Sequence, residues 1–437
     1  MQGDFEVNTI AESITEIYSA ATGRIKLSKP VREAGGIFLA TRGGLILFAP
    51  LAYLALTRWI PDTLHVAPPT YRNMGNFPLS LKFLVGPWNR WDAGWYLDIA
   101  KTGYFSPQST AFFPLYPLLT ALLGPLFLGN LALAGLILSL GCCLAAFIML
   151  YKLVQIDFGP RIAWRTTFLL AIFPTSFFFQ AIYTESLFLL LTIACLYAAR
   201  RQHYVVSGLL ALLAVLTRST GLMLILPMAI MYFKNIKWNW RQIDLDATFL
   251  LYPFVGLGLW MTYLGAHFHD PWLFSEVQRE WSRSFISPLQ GGPFNALYQG
   301  FNTAFVWSRD IPGDLIHSFW PNISNDPGFL ATQADLDFGF SFSFIVLSIA
   351  AFWWLPWEYP VYSLALILMP ASFPHIPSNV TSPLFSMPRF VLPAFPVFLL
   401  LAIWSGQRRW FFRVVTTVFL LLLLLLCCRF ILMEWVA

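Results

Sequence analysis

A chain of 437 residues that is 57% apolar and only 11% charged cannot present a water-compatible surface, because soluble domains carry about 25% charged residues. With a mean hydropathy of +0.64 it reads as an all-α polytopic membrane protein. The net charge of +5 is small and excludes the basic surface of a nucleic-acid binder.

Residues 1–35 are polar and charged, not a basic stub followed by an apolar core, and are expected to be a retained cytoplasmic amino-terminal segment. The remainder, 36–437, is expected to be a single transmembrane domain. Crossing about 30 Å of hydrocarbon takes roughly 17–25 residues per helix. Runs near that length recur, giving about eleven or twelve hydrophobic segments: 36–57, 110–127, 130–152, 162–180, 183–200, 204–217, 219–233, 246–266, 338–356, 359–373, 389–406 and 411–433. The segments 204–217 and 219–233 are short and read as a pair of half-length elements meeting at Arg218.

Two hydrophilic gaps interrupt the pattern, 58–109 and 267–337. Lys and Arg gather before the first span (Arg24, Lys26, Lys29, Arg32), then at Arg200 and Arg201, at Lys234, Lys237 and Arg241, and at Arg408, Arg409 and Arg413. These mark the cytoplasmic side, so both long loops fall outside. Lys152, Arg161 and Arg165 conflict with a simple count of spans. Either 110–127, interrupted by Pro114, Pro117 and Pro125, is re-entrant, or the charge rule fails there.

The first outer loop ends in Arg90-Trp91-Asp92-Ala93-Gly94-Trp95-Tyr96, followed by Gly103-Tyr104 and Ala111-Phe112-Phe113-Pro114-Leu115-Tyr116-Pro117. Taken alone, Asp92 stands where Asp ordinarily caps a helix. Its rings suit either a bilayer interface or the apolar faces of a sugar. Three further charges sit at or inside apolar segments, where a charge costs about 2.5–3.5 kcal/mol: Glu185, Arg218 and Arg389. Each has an ordinary explanation, snorkelling at a span end. In the proposed topology, however, all three reach the surface that carries Asp92, and a carboxylate with two guanidiniums forms a pocket for an anionic headgroup.

The second outer loop offers Asp270-Pro271-Trp272, then Gln278, Trp281 and Arg283, which as a bare pattern is interfacial packing. His267 and His269 are two residues apart, wrong for one helix face, and no Cys/His spacing suits zinc, so no metal is expected. Asp244-Leu245-Asp246 and Asp335-Leu336-Asp337 imitate a metal-nucleotide carboxylate pair but lie in a basic turn and just before a span. All five cysteines, Cys142, Cys143, Cys195, Cys427 and Cys428, sit in apolar segments as small hydrophobes. Asn322-Ile323-Ser324 and Asn379-Val380-Thr381 are glycosylation sequons.

The Arg90–Pro117 block resembles the signature of the GPI mannosyltransferase 2 (PIG-V) family and its prokaryotic relatives. The likeness extends through Phe173-Pro174, Tyr183-Thr184-Glu185-Ser186, Leu216-Thr217-Arg218-Ser219-Thr220-Gly221, Asp270-Pro271 to Trp281 and Arg283, and Pro388-Arg389. This resemblance implies a GT-C type bundle whose first outer loop carries an essential Asp, here Asp92. It also implies transfer of mannose, with inversion, from polyprenyl- or dolichyl-phosphate mannose to a lipid-linked glycan acceptor such as a GPI precursor. Asp92 takes the role of base, and Arg218, Arg389 and Arg283 hold the donor phosphate. Arg90, Trp91, Trp95, Tyr104, Phe113, Tyr183, Glu185 and Trp281 line the substrate pocket. No cofactor is implied. The site of action is the plasma membrane of a prokaryote or the ER membrane of a eukaryote. The competing class is a multipass transporter or flippase for lipids or sugar-lipids, which also places charges inside a bundle. A third is a non-catalytic scaffold with an aromatic membrane clamp.

Overall fold

A computed structural model describes residues 27–57, 83–287, 290, 292–310, 327–374, 383–432 and 436. Both sequons lie outside these residues, as do most of the amino-terminal segment and residues 58–82 of the first long loop. Among the described residues five helices are long and apolar enough to cross a membrane: Lys29–Leu56, Leu131–Ala171, Leu245–Phe268, Ala334–Trp353 and Arg409–Ile431. Shorter apolar helices pack between them, and every backbone group in such a bundle must be satisfied within the protein.

In chain order, α1 (Lys29–Phe38) runs through a wide turn into α2 (Gly44–Thr57), and α3 (Ala93–Thr102) follows the first long gap. Next come α4 (Leu115–Leu123), α5 (Leu131–Ala171), α6 (Glu185–Arg200), α7 (Tyr204–Val215), α8 (Ile225–Asn235) and α9 (Tyr252–Phe268). The last part holds α10 (Gly292–Asp310), α11 (Pro327–Ala350), α12 (Glu358–Ala371), the one-turn α13 (Met387–Phe390), α14 (Phe395–Gln407) and α15 (Arg409–Ile431). Proline opens α1, α9, α13 and α14, where its missing N–H has no intrahelical partner to lose.

The expected spans 130–152 and 162–180 are one helical run, α5, broken at Gly159. Gly159 takes φ +79, a conformation that costs glycine little, and Pro160 restarts the helix. The run stops at Ala171, short of 180, and residues 172–184 are turns and bends around a single 3₁₀ turn, Ser176–Phe179. Within the loop 267–337 the chain is not simply a hydrophilic excursion. Helix α10 and the beginning of α11 form there and pack against each other, and α10 also reaches α12.

The conflict over Lys152, Arg161 and Arg165 disappears in the structure. Tyr116 Oη donates to Gly135 O at 2.9 Å, and a Cβ on Gly124 would meet Leu131 at 2.9 Å, so α4 folds back along the start of α5 as an antiparallel hairpin. Leu115 N–H bonds Leu216 O at the end of α7, which ties this hairpin to one end of the bundle. Segment 110–127 therefore does not connect the two ends. At the other end Asp157, beside the break in α5, pairs with Arg200, and Arg165 lies over the Phe412 ring at 5.3 Å. The basic turns thus collect at one end and the short helices α6, α7 and α13 begin or finish at the other.

Candidate active site

Glu185 opens α6, Arg218 follows α7 on extended backbone (φ −158), and Arg389 lies in α13. Arg389 meets Asp92 at the start of α3, and Glu185 and Arg218 join the pair through it. Arg389 Nη1 donates to Asp92 Oδ2 at 2.6 Å, and its Nε lies 3.0 Å from Glu185 Oε1. Arg218 Nη1 donates to the same Glu185 oxygen at 2.8 Å. Exposure is low throughout: 14% for the Asp92 side chain, 10% for Arg389, 13% for Arg218 and 1% for Glu185. In such surroundings ion pairs feel little solvent screening.

Although Asp92 occupies the helix-capping position, its side chain makes no capping bond; the carboxylate is turned toward Arg389 instead. The turn holding it is clamped onto the irregular stretch after α5. Ile182 N–H bonds Trp88 O, Tyr183 Oη donates to Arg90 O at 3.1 Å, and the same hydroxyl accepts the Asp92 N–H at 3.3 Å. On the far side, Gly221 allows the Arg218 turn to press on the end of α7, because a Cβ there would lie 2.6 Å from Val215 N. No larger residue fits without moving that turn.

The Phe390 ring gathers the cations. The guanidinium carbons of Arg218 and Arg283 each sit 5.0 Å from its centroid, and that of Arg389 5.4 Å. Arg389 also covers Tyr183 at 5.2 Å. These are cation–π distances. Arg283 donates to Phe385 O at 3.0 Å and among the described residues forms no ion pair. Burial, with the Arg389 guanidinium nearby, holds Arg283 below the usual arginine range. The ion-paired and ring-gathered groups are three guanidiniums and two carboxylates, and the buried Asp337 adds a third carboxylate's field at Arg283.

Three backbone positions support the same conclusion. Trp91 (φ +47), Ser282 (φ +57) and Ser386 (φ +72) occupy the left-handed region, each costing roughly 1–3 kcal/mol of strain. They stand immediately before Asp92, immediately before Arg283 and three residues before Arg389. Strain of this kind persists where the surrounding packing dictates a side-chain direction.

The other sequence-derived candidates divide. Trp95 and Trp281 meet edge to face at 5.5 Å, and Trp95 stacks on Phe112 and Phe105, forming an aromatic wall two residues from Arg283. Trp91 is 38% exposed at the rim. Tyr183 lies under Arg389. Arg90, Tyr104 and Phe113 are engaged elsewhere. Arg90 is buried and donates to Ile431 O at 2.8 Å, fastening α15 to the loop. Tyr104 donates to Phe112 O and packs on Trp260, which Phe113 also contacts in a separate apolar cluster. Sequence reasoning missed Phe390: a Phe next to Arg389 looks like any other residue of an apolar span. Among the described residues no group of three or more His, Cys, Asp or Glu comes together, and the two site carboxylates are both bonded to arginines.

A polytopic helical membrane protein with a buried arginine–carboxylate cluster at one end of its bundle is the class these features define. Residues 77–245 match the model of the family described as Mannosyltransferase (PIG-V). Three of the five clustered residues, Asp92, Glu185 and Arg218, lie inside that stretch, whereas Arg389 and Arg283 are brought to it by folding. The chain is 33% identical over 173 residues to GPI alpha-1,6-mannosyltransferase 2 of Rattus norvegicus, covering 36% of this chain and 34% of that protein. With the human protein of the same name the identity is 33% over 167 residues, and with GPI mannosyltransferase 2 of Cryptococcus neoformans it is 32% over 144. The match spans about a third of the length of these relatives. Among solved structures, ArnT from Cupriavidus metallidurans bound to undecaprenyl phosphate aligns with 84% of this chain and 60% of its own, at 14% identity and a TM-score of 0.43. The oligosaccharyltransferase of Archaeoglobus fulgidus aligns with 89% and 53%, at 14% identity and a TM-score of 0.42.

Proposed function

We propose that this protein is a GT-C type mannosyltransferase that moves mannose, with inversion, from a polyprenyl- or dolichyl-phosphate donor to a hydroxyl of a lipid-linked acceptor on the non-cytoplasmic face. The observation that carries the proposal is the sharing of Arg389 between Asp92 and Glu185, beside two further guanidiniums, with both carboxylates in the stretch that matches the mannosyltransferase (PIG-V) family.

A hydroxyl attacks an anomeric carbon poorly unless its proton has somewhere to go. Asp92 takes that proton as the acceptor oxygen bonds to the sugar C1, a contribution of about 10²–10⁴-fold. The bond from C1 to the phosphate oxygen breaks in the same displacement, and the lipid phosphate leaves with increased charge. Arg389, Arg218 and Arg283 stabilise that charge more than they stabilise the intact donor. The Asp92–Arg389 pair has a consequence for timing. The Asp92 oxygen that would accept the proton is occupied by the Arg389 N–H at 2.6 Å. A donor phosphate competing for Arg389 releases Asp92, so the base becomes effective when the donor is present. Glu185 anchors Arg218 and Arg389 throughout, and the Trp95–Trp281 wall suits the apolar face of a sugar.

Incubating the purified protein with radiolabelled dolichyl-phosphate mannose and a lipid extract tests this reading. Label appearing in a new glycolipid, identified by mass spectrometry, supports it. Movement of the donor across a vesicle without transfer would replace it with a carrier function.

A further inference from the structure

At the basic end of the bundle the pairs Arg200–Asp157 and Lys234–Glu358 neutralise part of the charge, but a neighbouring face has no such closure. Arg161 and Arg165 begin the second half of α5 four residues apart, and Arg409 and Arg413 begin α15 with the same spacing. Each pair therefore lies on one side of its helix, about 6 Å apart along the axis. The two pairs are neighbours. The Arg165 guanidinium covers the ring of Phe412, next to Arg413, and its Nη1 would lie 3.3 Å from a Cβ on Gly406, two residues before Arg408. Residues 395–431, which make α14 and α15, contain no Asp or Glu, and Asp157 is already bonded to Arg200. Among the described residues none of the five arginines, Arg161, Arg165, Arg408, Arg409 and Arg413, forms an ion pair. Like charges gathered in this way repel one another, and an anion placed among them removes that cost.

Tryptophan marks the depth of the patch. Trp410 is exposed directly after Arg409, and Trp404 of α14 meets Trp354 edge to face at 6.4 Å, with Trp353 and Trp357 exposed beside it. Exposed tryptophans at the ends of spans sit at the headgroup level of a bilayer. Arg161, Arg408, Arg409 and Arg413 are exposed at this level and Arg165 is half-buried beneath them. The guanidiniums are thus held where lipid phosphates lie.

We propose that this face is a binding site for the headgroup of an anionic phospholipid of the surrounding leaflet, with Arg165, Arg409 and Arg413 holding its phosphate. The site lies at the opposite end from the Asp92 cluster and does not depend on the donor reading. A guanidinium pairs a phosphate through two parallel N–H···O bonds, so arginine suits the task better than lysine. A zwitterionic headgroup brings its own cation to the patch and gains less. The flanking tryptophans place the patch within the headgroup layer, which favours a lipid over a soluble acidic partner.

Native mass spectrometry of the whole protein in detergent tests the site with phosphatidylglycerol, phosphatidylcholine and glycerol phosphate. Wild type should hold phosphatidylglycerol about tenfold more tightly than phosphatidylcholine. Arg165→Gln/Arg409→Gln/Arg413→Gln should weaken phosphatidylglycerol binding by about a hundredfold, the worth of three charges close to an anionic surface, and leave phosphatidylcholine binding unchanged. Lys237→Gln/Arg241→Gln, which removes two cations from another turn at the same end, should bind both lipids as wild type does. Equal loss in the two variants, or equal binding of the two lipids by wild type, would overturn the site. Displacement of phosphatidylglycerol by glycerol phosphate at matched concentration would overturn it as well, in favour of a site for a soluble phosphate. A readout on wild type alone covers a triple variant that does not fold. Amide hydrogen exchange over residues 406–413 should slow by about fivefold in phosphatidylglycerol nanodiscs relative to phosphatidylcholine nanodiscs, with residues 237–243 unchanged. Protection of both segments, or of neither, overturns the assignment.

Discussion

The two ends of this bundle use the same residue types to different effect. At the basic end Arg200 pairs with Asp157 and Lys234 with Glu358, each cation serving one carboxylate. Their cations are half exposed, 43% and 39%, and the pairs join helix ends: Asp157 beside the break in α5 to the end of α6, and the end of α8 to the start of α12. Tyr359 adds a bond to Asp157. At the other end Arg389 serves two carboxylates, Arg218 shares one of them, and Arg283 adds charge that no carboxylate there neutralises by an ion pair. Their cations are only 10% to 13% exposed for the paired residues, and strained backbone holds the adjoining turns. An ion pair that closes one to one on an exposed helix end is a fastening. A buried cluster whose arginines share carboxylates and one aromatic ring is the arrangement on which the proposed donor site rests.

The most direct way to break that contrast is Asp92→Asn. Transfer should fall by about 10²–10⁴-fold, the usual worth of a general base, with unchanged yield and melting temperature in detergent. Full activity would remove Asp92 from the chemistry. Arg389→Ala comes next, because it leaves two carboxylates short of a partner: stability should drop by about 3–5 kcal/mol in a denaturant or thermal series, along with activity. A variant as stable as wild type would show that the cluster is not electrostatically coupled. Arg218→Ala leaves Glu185 ion-paired with Arg389, so folding should survive while KM for the donor rises by about tenfold, consistent with one charge-assisted contact of 1.5–3 kcal/mol. An unchanged KM would count against a phosphate role. The smallest effect belongs to the opposite end. Arg200→Ala should cost no more than about 1 kcal/mol, since exposed pairs are worth little, and leave transfer within about twofold of wild type. A large kinetic effect there would erase the distinction between the two ends.

The sequence made some of these features legible and concealed others. Membrane class followed from composition, because a chain with so few charges has no soluble alternative. Asp92, Glu185, Arg218 and Arg389 stood out because charge inside apolar runs is expensive. The residues expected to line the pocket take separate places: Tyr183 lies under Arg389, Trp95 and Trp281 pack on each other two residues from Arg283, and Arg90, Tyr104 and Phe113 pack against α15 and Trp260. Their proximity to Asp92 in the chain suggested a shared pocket, but successive residues around a turn point in different directions. The halves of α5 could not be joined from the pattern alone either, since Gly159-Pro160 reads equally well as a loop or a kink.

What the residues determined unaided is local: which stretches are apolar enough to cross a bilayer, which charges are costly there, and where proline and glycine interrupt a helix. Only the tertiary structure decided the partners. Arg389 reaches Asp92 across 297 residues because α13, the irregular stretch after α5 and the start of α3 end at one level of the bundle. The same packing puts three arginines on Phe390. Shared guanidiniums are a property of several helices at once, and no single stretch of the sequence contains them.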